Sequence, residues 1–267
     1  MFLRNLFVFF LAALLSACSG YNRLLKSPDA ELRFNKAVEY YKEGKYGLSL
    51  PLLEDLIPAY RGTAKAELVY YYFAMSHYQL EDYPTAAAYL KNFVKTFPKS
   101  EYSEDCAFLS AMCTYNTSPK YSLDQTDTRL AITDFQLFLN RYPDSKKRDT
   151  INQMMIRLQE KLERKSFEIA KLYHQTERYN AAVLTLENCL RDFPNTKYEE
   201  NILFMLVESH YKMAKNSVES KQKERLEQTV KAYQRYIDKY SKSDRSAVVE
   251  DIFKSTQSLL QTVKQPS

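Results

Sequence analysis

Histidine and cysteine have the most chemistry to offer in this 267-residue chain, and here their spacing limits it. His77, His174 and His210 each stand alone, with no cysteine or second histidine at the intervals zinc requires. His77 and His210 each precede a tyrosine at the same place in a sequence repeat, a pattern of packing rather than ligation. Cys106 and Cys113 fall two helical turns apart on one face, a rise of roughly 10.5 Å. That is too far for a disulfide; with Cys189 they read as small buried residues, a bridge from either one to Cys189 being the alternative. The chain contains no Gly-x-Ser-x-Gly, no P-loop and no His-Glu-x-x-His. Its carboxylates share helices with Lys and Arg, as on solvated faces. No catalytic residue and no metal site is expected, and the chain reads as a non-enzyme.

Cys18 is the exception. Arg4 precedes an unbroken apolar run, Leu6–Leu15, of ten residues. A bilayer span needs about 20 residues, whereas a signal peptide needs only a short apolar stretch of this kind. Leu15-Ser16-Ala17-Cys18 then resembles a bacterial lipobox. The resemblance implies that residues 1–17 are a cleaved signal peptide and that Cys18 carries diacylglyceryl and N-acyl chains, the covalent lipid being the one non-protein group expected. It makes 18–29 a lipidated tether. Several acyl chains are needed because one anchors only marginally, at about 0.8 kcal/mol per buried methylene. Ser19, rather than Asp, follows the cysteine and points to the periplasmic face of the outer membrane. The alternative is a soluble secreted protein cut after Ala17.

The composition is 45% hydrophobic and 27% charged, enough for a buried core. Only four glycines are present, which argues against sandwiches, barrels and phosphate loops; there are 22 Tyr, 15 Phe and no Trp. The formal charge of +5 is spread along the chain and argues against a nucleic-acid partner.

The elements that position these residues follow a ruler. Phe34, Tyr71 and Phe108 are 37 residues apart, as are Ala37, Ala74 and Ala111, and Tyr41, Tyr78 and Tyr115. The same step relates Phe167 to Phe204 and Ala170 to Val207. Each of the five units predicts two helices. A Phe-Pro or Tyr-Pro step at Pro98, Pro143 and Pro194 ends the second, because the residue before proline leaves the helical region. Leu53, Leu90, Phe135 and Leu186 share one place in the second helix. Ala86, Ala131 and Ala182 lie four residues before theirs, small enough for helices to approach closely. These patterns resemble tetratricopeptide (TPR) units. An all-α, TPR-type solenoid of five repeats is therefore expected, because no repeat buries its apolar face alone. The expected parts are an N-terminal module, 30–143 (three repeats), a C-terminal module, 144–241 (a long helix and two repeats), and 242–267 as capping helix and tail. Eight extra residues lie near Asn116–Asp127, and ten near Asn216–Arg225, the latter polar and expected to be a solvated loop.

First helices line the inner face of a TPR stack. Phe34, Tyr41, Tyr71, Met75, Tyr78, Phe108, Met112 and Tyr115 are thus the expected peptide-binding groove. Aromatics supply area with a polar tip, and methionine adapts to varied ligands. Beyond Pro143 the same positions turn charged, with Lys171, His174 and Glu208, and Lys146–Lys165 holds seven Lys and Arg against three Asp and Glu.

The stretch Leu162–Tyr173, then Tyr179-Asn-Ala-Ala182 and Leu190-Arg-Asp-Phe193-Pro194-Asn-Thr196, resembles the BamD family of β-barrel assembly lipoproteins. The resemblance implies a scaffold of the β-barrel assembly (BAM) machine. It implies as partners unfolded outer-membrane proteins, at the aromatic groove, and the POTRA domains of a BamA-like protein. Lys161, Arg164, Lys165, Thr196, Lys212 and Lys215 are the expected surface for the latter. The competing readings are a TPR lipoprotein of another envelope machine, such as a secretin pilotin, and an envelope hydrolase or SusD-type sugar binder. The last two are longer chains, usually with Trp.

Overall fold

The computed structural model describes residues 20–263, and all regular structure among them is helical. After a helical turn over 20–25 come α1 (Ala30–Lys42), α2 (Tyr46–Ala59), α3 (Ala66–Gln79), α4 (Tyr83–Thr96), α5 (Ser103–Thr117) and α6 (Thr126–Arg141). Then follow α7 (Arg148–Gln175), α8 (Tyr179–Asp192), α9 (Glu199–Lys215), α10 (Glu219–Tyr240) and α11 (Ser246–Thr262). Cys18 and the signal segment lie outside the described residues. The fold is of TPR type: five helical hairpins, α1–α2 to α9–α10, followed by a closing helix.

The chain forms two compact units. The first holds the chain to Pro119 together with Asp124–Met155, and the second holds Lys120–Leu123 and everything from Ile156. The division thus passes through α7. In the first unit each helix from α1 to α6 packs on the next, and α1 also meets α3. In the second, α9 packs on α8, α10 and α11, and α10 on α11. The C-terminal half of α7 joins that core through Phe167 and Ala170, alongside Ala182, Leu186, Ile202 and Tyr236.

The repeated small positions are where the helices touch. Ala37, Ala74, Ala111, Ala170 and Val207 on the first helices are all buried, and so are Ala86, Ala131 and Ala182 on the second. Ser49 and Thr229 take the small place in the first and last hairpins and are buried too. The Ser49 hydroxyl is tolerated there because it donates to the Ala37 carbonyl at 2.8 Å. Leu53, Leu90, Phe135, Leu186 and Tyr233, four residues on, fill the space beside them.

Helix ends follow local chemistry. Phe97, Tyr142 and Phe193 hold φ between −122° and −133° with ψ of 60–73°, the non-helical backbone a following proline enforces. Pro84 sits in the first turn of α4, where its missing N–H costs little. The 216–225 stretch departs from the expected solvated loop: only Asn216–Val218 connects, and α10 starts at Glu219. Without Gly or Pro, the straight-chain Lys, Gln and Glu residues there continue a helix readily. The extra residues of the third hairpin form a loop, 118–125.

First helices in three repeats end on a left-handed residue: Gly44 (φ +75°), Glu81 (+59°) and Glu177 (+60°). The following N–H groups of Lys45, Asp82 and Arg178 reach back to the carbonyls of Tyr40, His77 and Tyr173, closing a Schellman turn. A side chain costs about 1 kcal/mol in this conformation. A Cβ on Gly44 would meet nothing within 4 Å, so only backbone preference is at stake there. Glu81→Gly and Glu177→Gly should each therefore stabilise the protein by up to about 1 kcal/mol, and Gly44→Ala should lose a similar amount. Urea denaturation of the three variants measures this; a loss on Glu81→Gly would refute the strain argument.

Candidate protein-binding surfaces

In the first unit the expected groove residues fall into two groups. Phe34 and Met75 are only 8% and 7% exposed, so they are core rather than open groove. Phe34 packs with Ala37, Leu52, Leu53 and Leu56, and Met75 with Ala74, Ala86, Leu90 and Phe93. Tyr41, Tyr71, Tyr78, Phe108, Met112 and Tyr115 are half-buried. Tyr71 stacks on Tyr102 at 4.3 Å and meets Tyr72 and Phe93 edge-on at 5.4 and 6.1 Å. Tyr41 lies edge-on to Tyr46 and Tyr72, Tyr78 to Tyr83, and Phe108 to Phe138. Tyr115 tilts against Phe135 at 5.9 Å. Burial pushes the Tyr41, Tyr71 and Tyr78 hydroxyls above the usual phenol range, which keeps them neutral donors. The result is a row of rings fixed by one another and only partly exposed.

Tyr72 and Tyr102 are the residues that the 37-residue ruler passes over. Tyr72 touches Phe34, Tyr41 and Tyr71. It belongs to the run Tyr70-Tyr71-Tyr72-Phe73, in which rings surround the helix, and a search for one recurrent face registers Tyr71 alone. The unit also carries an opening of about 230 Å³ bordered by Lys91, Val94, Ala107, Ser110, Leu137 and Arg141. Beside it the buried Asp134 carboxylate accepts from Lys91 Nζ at 2.8 Å and Thr114 Oγ1 at 3.1 Å.

In the second unit, Lys161 and Arg164 of α7 line a cleft of about 510 Å³ with Lys120, Arg157, Lys197 and Tyr198. The Arg164 guanidinium lies 4.1 Å from the centre of the Tyr121 ring, a cation–π contact. Lys165 Nζ donates to the Leu123 carbonyl and so holds the 120–123 strand of chain in place. Burial lowers the Lys161 ammonium below the usual lysine range. Thr196 is 6% exposed, so it is not open surface. Its hydroxyl donates to Glu163 Oε1 at 2.5 Å and accepts the Tyr198 N–H at 3.1 Å, while the Lys197 N–H also reaches Glu163. Thr196 thereby sets Lys197 and Tyr198, the latter stacked flat on Phe167 at 4.1 Å. Lys212 and Lys215 are exposed but belong to the far end of α9, about 20 Å along that helix from Tyr198. The expected partner surface is thus two places, not one. Arg157, Lys120 and Lys197 also border the cleft, and the sequence reading did not single them out. Arg157, Lys161 and Arg164 could have been grouped by their four- and three-residue spacing, but the approach of 120–123 has no local signal.

The groups with latent chemistry are spent on packing. The three described cysteines are buried and unbridged, and burial pushes the Cys106 and Cys113 thiols up to about 12. His77 Nδ1 pairs with Asp82 at 3.0 Å, and His174 with Ser209 and Glu208 at 3.0 and 3.2 Å. Burial lowers the His210 imidazole and favours its neutral form.

A family model described as YfiO, outer membrane lipoprotein, matches residues 27–226. The chain belongs to the YfiO family of outer membrane lipoproteins. A curated relative from Haemophilus influenzae, named outer membrane protein assembly factor BamD, is 21% identical over 221 residues, covering 79% of this chain and 84% of that one. A protein of the same name from Pasteurella multocida is 20% identical over 225 residues, covering 80% and 86%. The matched residues of the family model take in the aromatic rows and the whole of α7, the cleft lysines and arginines included.

The cleft depends on the Thr196–Glu163 bond. Thr196→Val keeps the shape and removes the hydroxyl, so it should cost about 2 kcal/mol, the usual range for a bond to a charged acceptor. Amide exchange at Lys197 and Tyr198 should rise with it. Unchanged stability and exchange would mean that packing alone holds the turn.

Proposed function

We propose that this chain is a lipid-anchored, non-catalytic scaffold of the outer-membrane β-barrel assembly machine. The half-buried aromatic rows of the first unit take extended segments of unfolded outer-membrane proteins. The basic surfaces of the second unit receive the POTRA domains of a BamA-like protein. The observation that carries this reading is the contrast between the two surfaces, within a chain of the YfiO family. Rings with neutral hydroxyl tips suit apolar, extended segments of many sequences. Rows of cations suit a folded partner chosen by complementary charge. The relatives' printed name, outer membrane protein assembly factor, supports the process. Neither unit offers a nucleic-acid surface in this reading, and no cofactor beyond the lipid is invoked.

Photocrosslinking in cells separates the roles. A photoreactive residue at Tyr78 should trap nascent barrel proteins, and one at Lys212 should trap a stable POTRA-bearing partner. The reverse pattern would invert the assignment, and capture of a secretin at either place would move the chain to another envelope machine.

The anchor is tested separately. We propose that Cys18 carries the lipid and places the protein on the periplasmic face of the outer membrane. Wild-type protein should take up a clickable fatty acid, and Cys18→Ala should abolish labelling and release the chain from membranes. Wild-type protein without label would refute the anchor.

A further inference from the structure

Resting on that reading of the second unit, we infer that the cleft between α7, Lys120–Leu123 and Lys197–Tyr198 is a receptor for an acidic peptide segment of the folded partner. Five cations border it, Lys120, Arg157, Lys161, Arg164 and Lys197, against one carboxylate, Glu160. Arg157, Lys161 and Arg164 recur at four and three residues on a continuous helix, so they form a row about 10 Å long. A single phosphate is held by donors that converge on one point. A row of this length instead matches carboxylates at alternate positions of an extended chain, spaced about 6.6 Å.

The site is also prebuilt. Tyr121 lies against the Arg164 guanidinium at 4.1 Å, Lys165 anchors 120–123, and Glu163 with Thr196 fixes the turn that carries Lys197. Tyr198, stacked on Phe167, makes one wall rigid. Little ordering remains to be done when a ligand enters, which raises affinity. Burial depresses the Lys161 ammonium, and a carboxylate beside it would favour its charged form. Salt bridges in the open are weak singly, whereas several cations in a partly walled cleft act together.

The test uses the full mature chain in detergent. The probe is a short fluorescein-labelled peptide with Glu at alternate positions and Ser between, compared with its Gln counterpart by fluorescence polarisation. The Glu peptide should bind at least about tenfold more tightly, and salt should weaken it steeply. The double variant Arg157→Gln/Lys161→Gln, which leaves the Arg164–Tyr121 contact alone, should lose about tenfold while keeping its helical circular-dichroism spectrum. Lys212→Gln/Lys215→Gln should bind as wild type. Equal binding of the two peptides, or undiminished binding by the cleft variant, overturns the inference. So does binding of phosphatidylglycerol vesicles or inorganic phosphate, lost in the cleft variant, when the peptide does not bind. Co-purification of the POTRA-bearing partner with the cleft variant reports on the underlying reading by itself. Peptide binding lost and partner retained would leave the cleft's chemistry standing and place the partner elsewhere; peptide null and partner lost would keep the docking surface and refute the acidic segment.

Discussion

A hydroxyl-to-carboxylate bond closes each of four successive repeats, and the placement of the surfaces depends on it. Ser100 donates to Glu67 at 2.6 Å, Ser145 to Glu104 at 2.7 Å, Thr196 to Glu163, and Ser243 to Glu200. In every case the same hydroxyl accepts the backbone N–H two residues on, at Tyr102, Lys147, Tyr198 and Arg245. The glutamate belongs to the repeat's first helix, and the hydroxyl to the turn that leaves its second. One bond therefore ties the start of a hairpin to its end and aims the next helix. A hydrogen bond to a charged acceptor contributes about 1.5–3 kcal/mol, and an acid in a helix's first turn, as at Glu67, Glu104 and Glu200, also faces the positive end of the helix dipole. In the first repeat Glu31 does the corresponding work with Tyr60 and Lys65, and the Lys65 bond holds its carboxyl below the usual range.

On this common frame the two units spend their side chains differently. In the first, aromatic residues fill both the core and its margin, so that Tyr41, Tyr71 and Tyr78 are held by neighbouring rings and only partly exposed. Mutual packing of rings adds about 0.5–1.5 kcal/mol per pair beyond area and makes a surface that is firm without being polar. In the second, the core is completed by Leu186, Ile202, Leu206 and Tyr236, and the margin carries charge. Phe167 and Tyr198 still stack, but beneath a rim of lysine and arginine. The stacked pair thus recurs in both units, as Tyr71 on Tyr102 in one and as Phe167 on Tyr198, a wall of the cleft, in the other.

Insertions were absorbed mainly as helix. α7 runs for 28 residues and α10 for 22, each longer than the hairpin requires. Neither contains Gly or Pro, and their extra turns are rich in Lys, Arg, Glu and Gln, which lose little freedom in a helix. Extending a helix satisfies every added backbone N–H and C=O internally, whereas a loop must find partners for them. In α7 the added length also exposes the row from Arg157 to Arg164.

Periodicity alone determined the repeats, the small buried positions and the proline stops, because a 37-residue step with alanine at fixed places has one way to bury its apolar faces. It also determined that, after Pro143, Lys171, His174 and Glu208 take places that Met75, Tyr78 and Met112 hold before it. Two exposures in the aromatic ladder were not legible: Phe34 and Met75 share the ruler with Tyr71 and Phe108 yet are core, since the depth of a residue depends on what the neighbouring helix places over it. Thr196 was legible as a position but not as a role; its partner Glu163 is 33 residues away, and only folding brings the two together. The basic row of the cleft was legible in α7, but the closing of the cleft was decided by tertiary structure. Lys120–Leu123 lies more than thirty residues before Arg157, and it counts with the second unit because Tyr121 finds Arg164 and Leu123 finds Lys165. Local patterns specify which faces of a helix are apolar or charged, whereas contacts between distant segments are selected by the whole packed fold, which no single stretch of sequence contains.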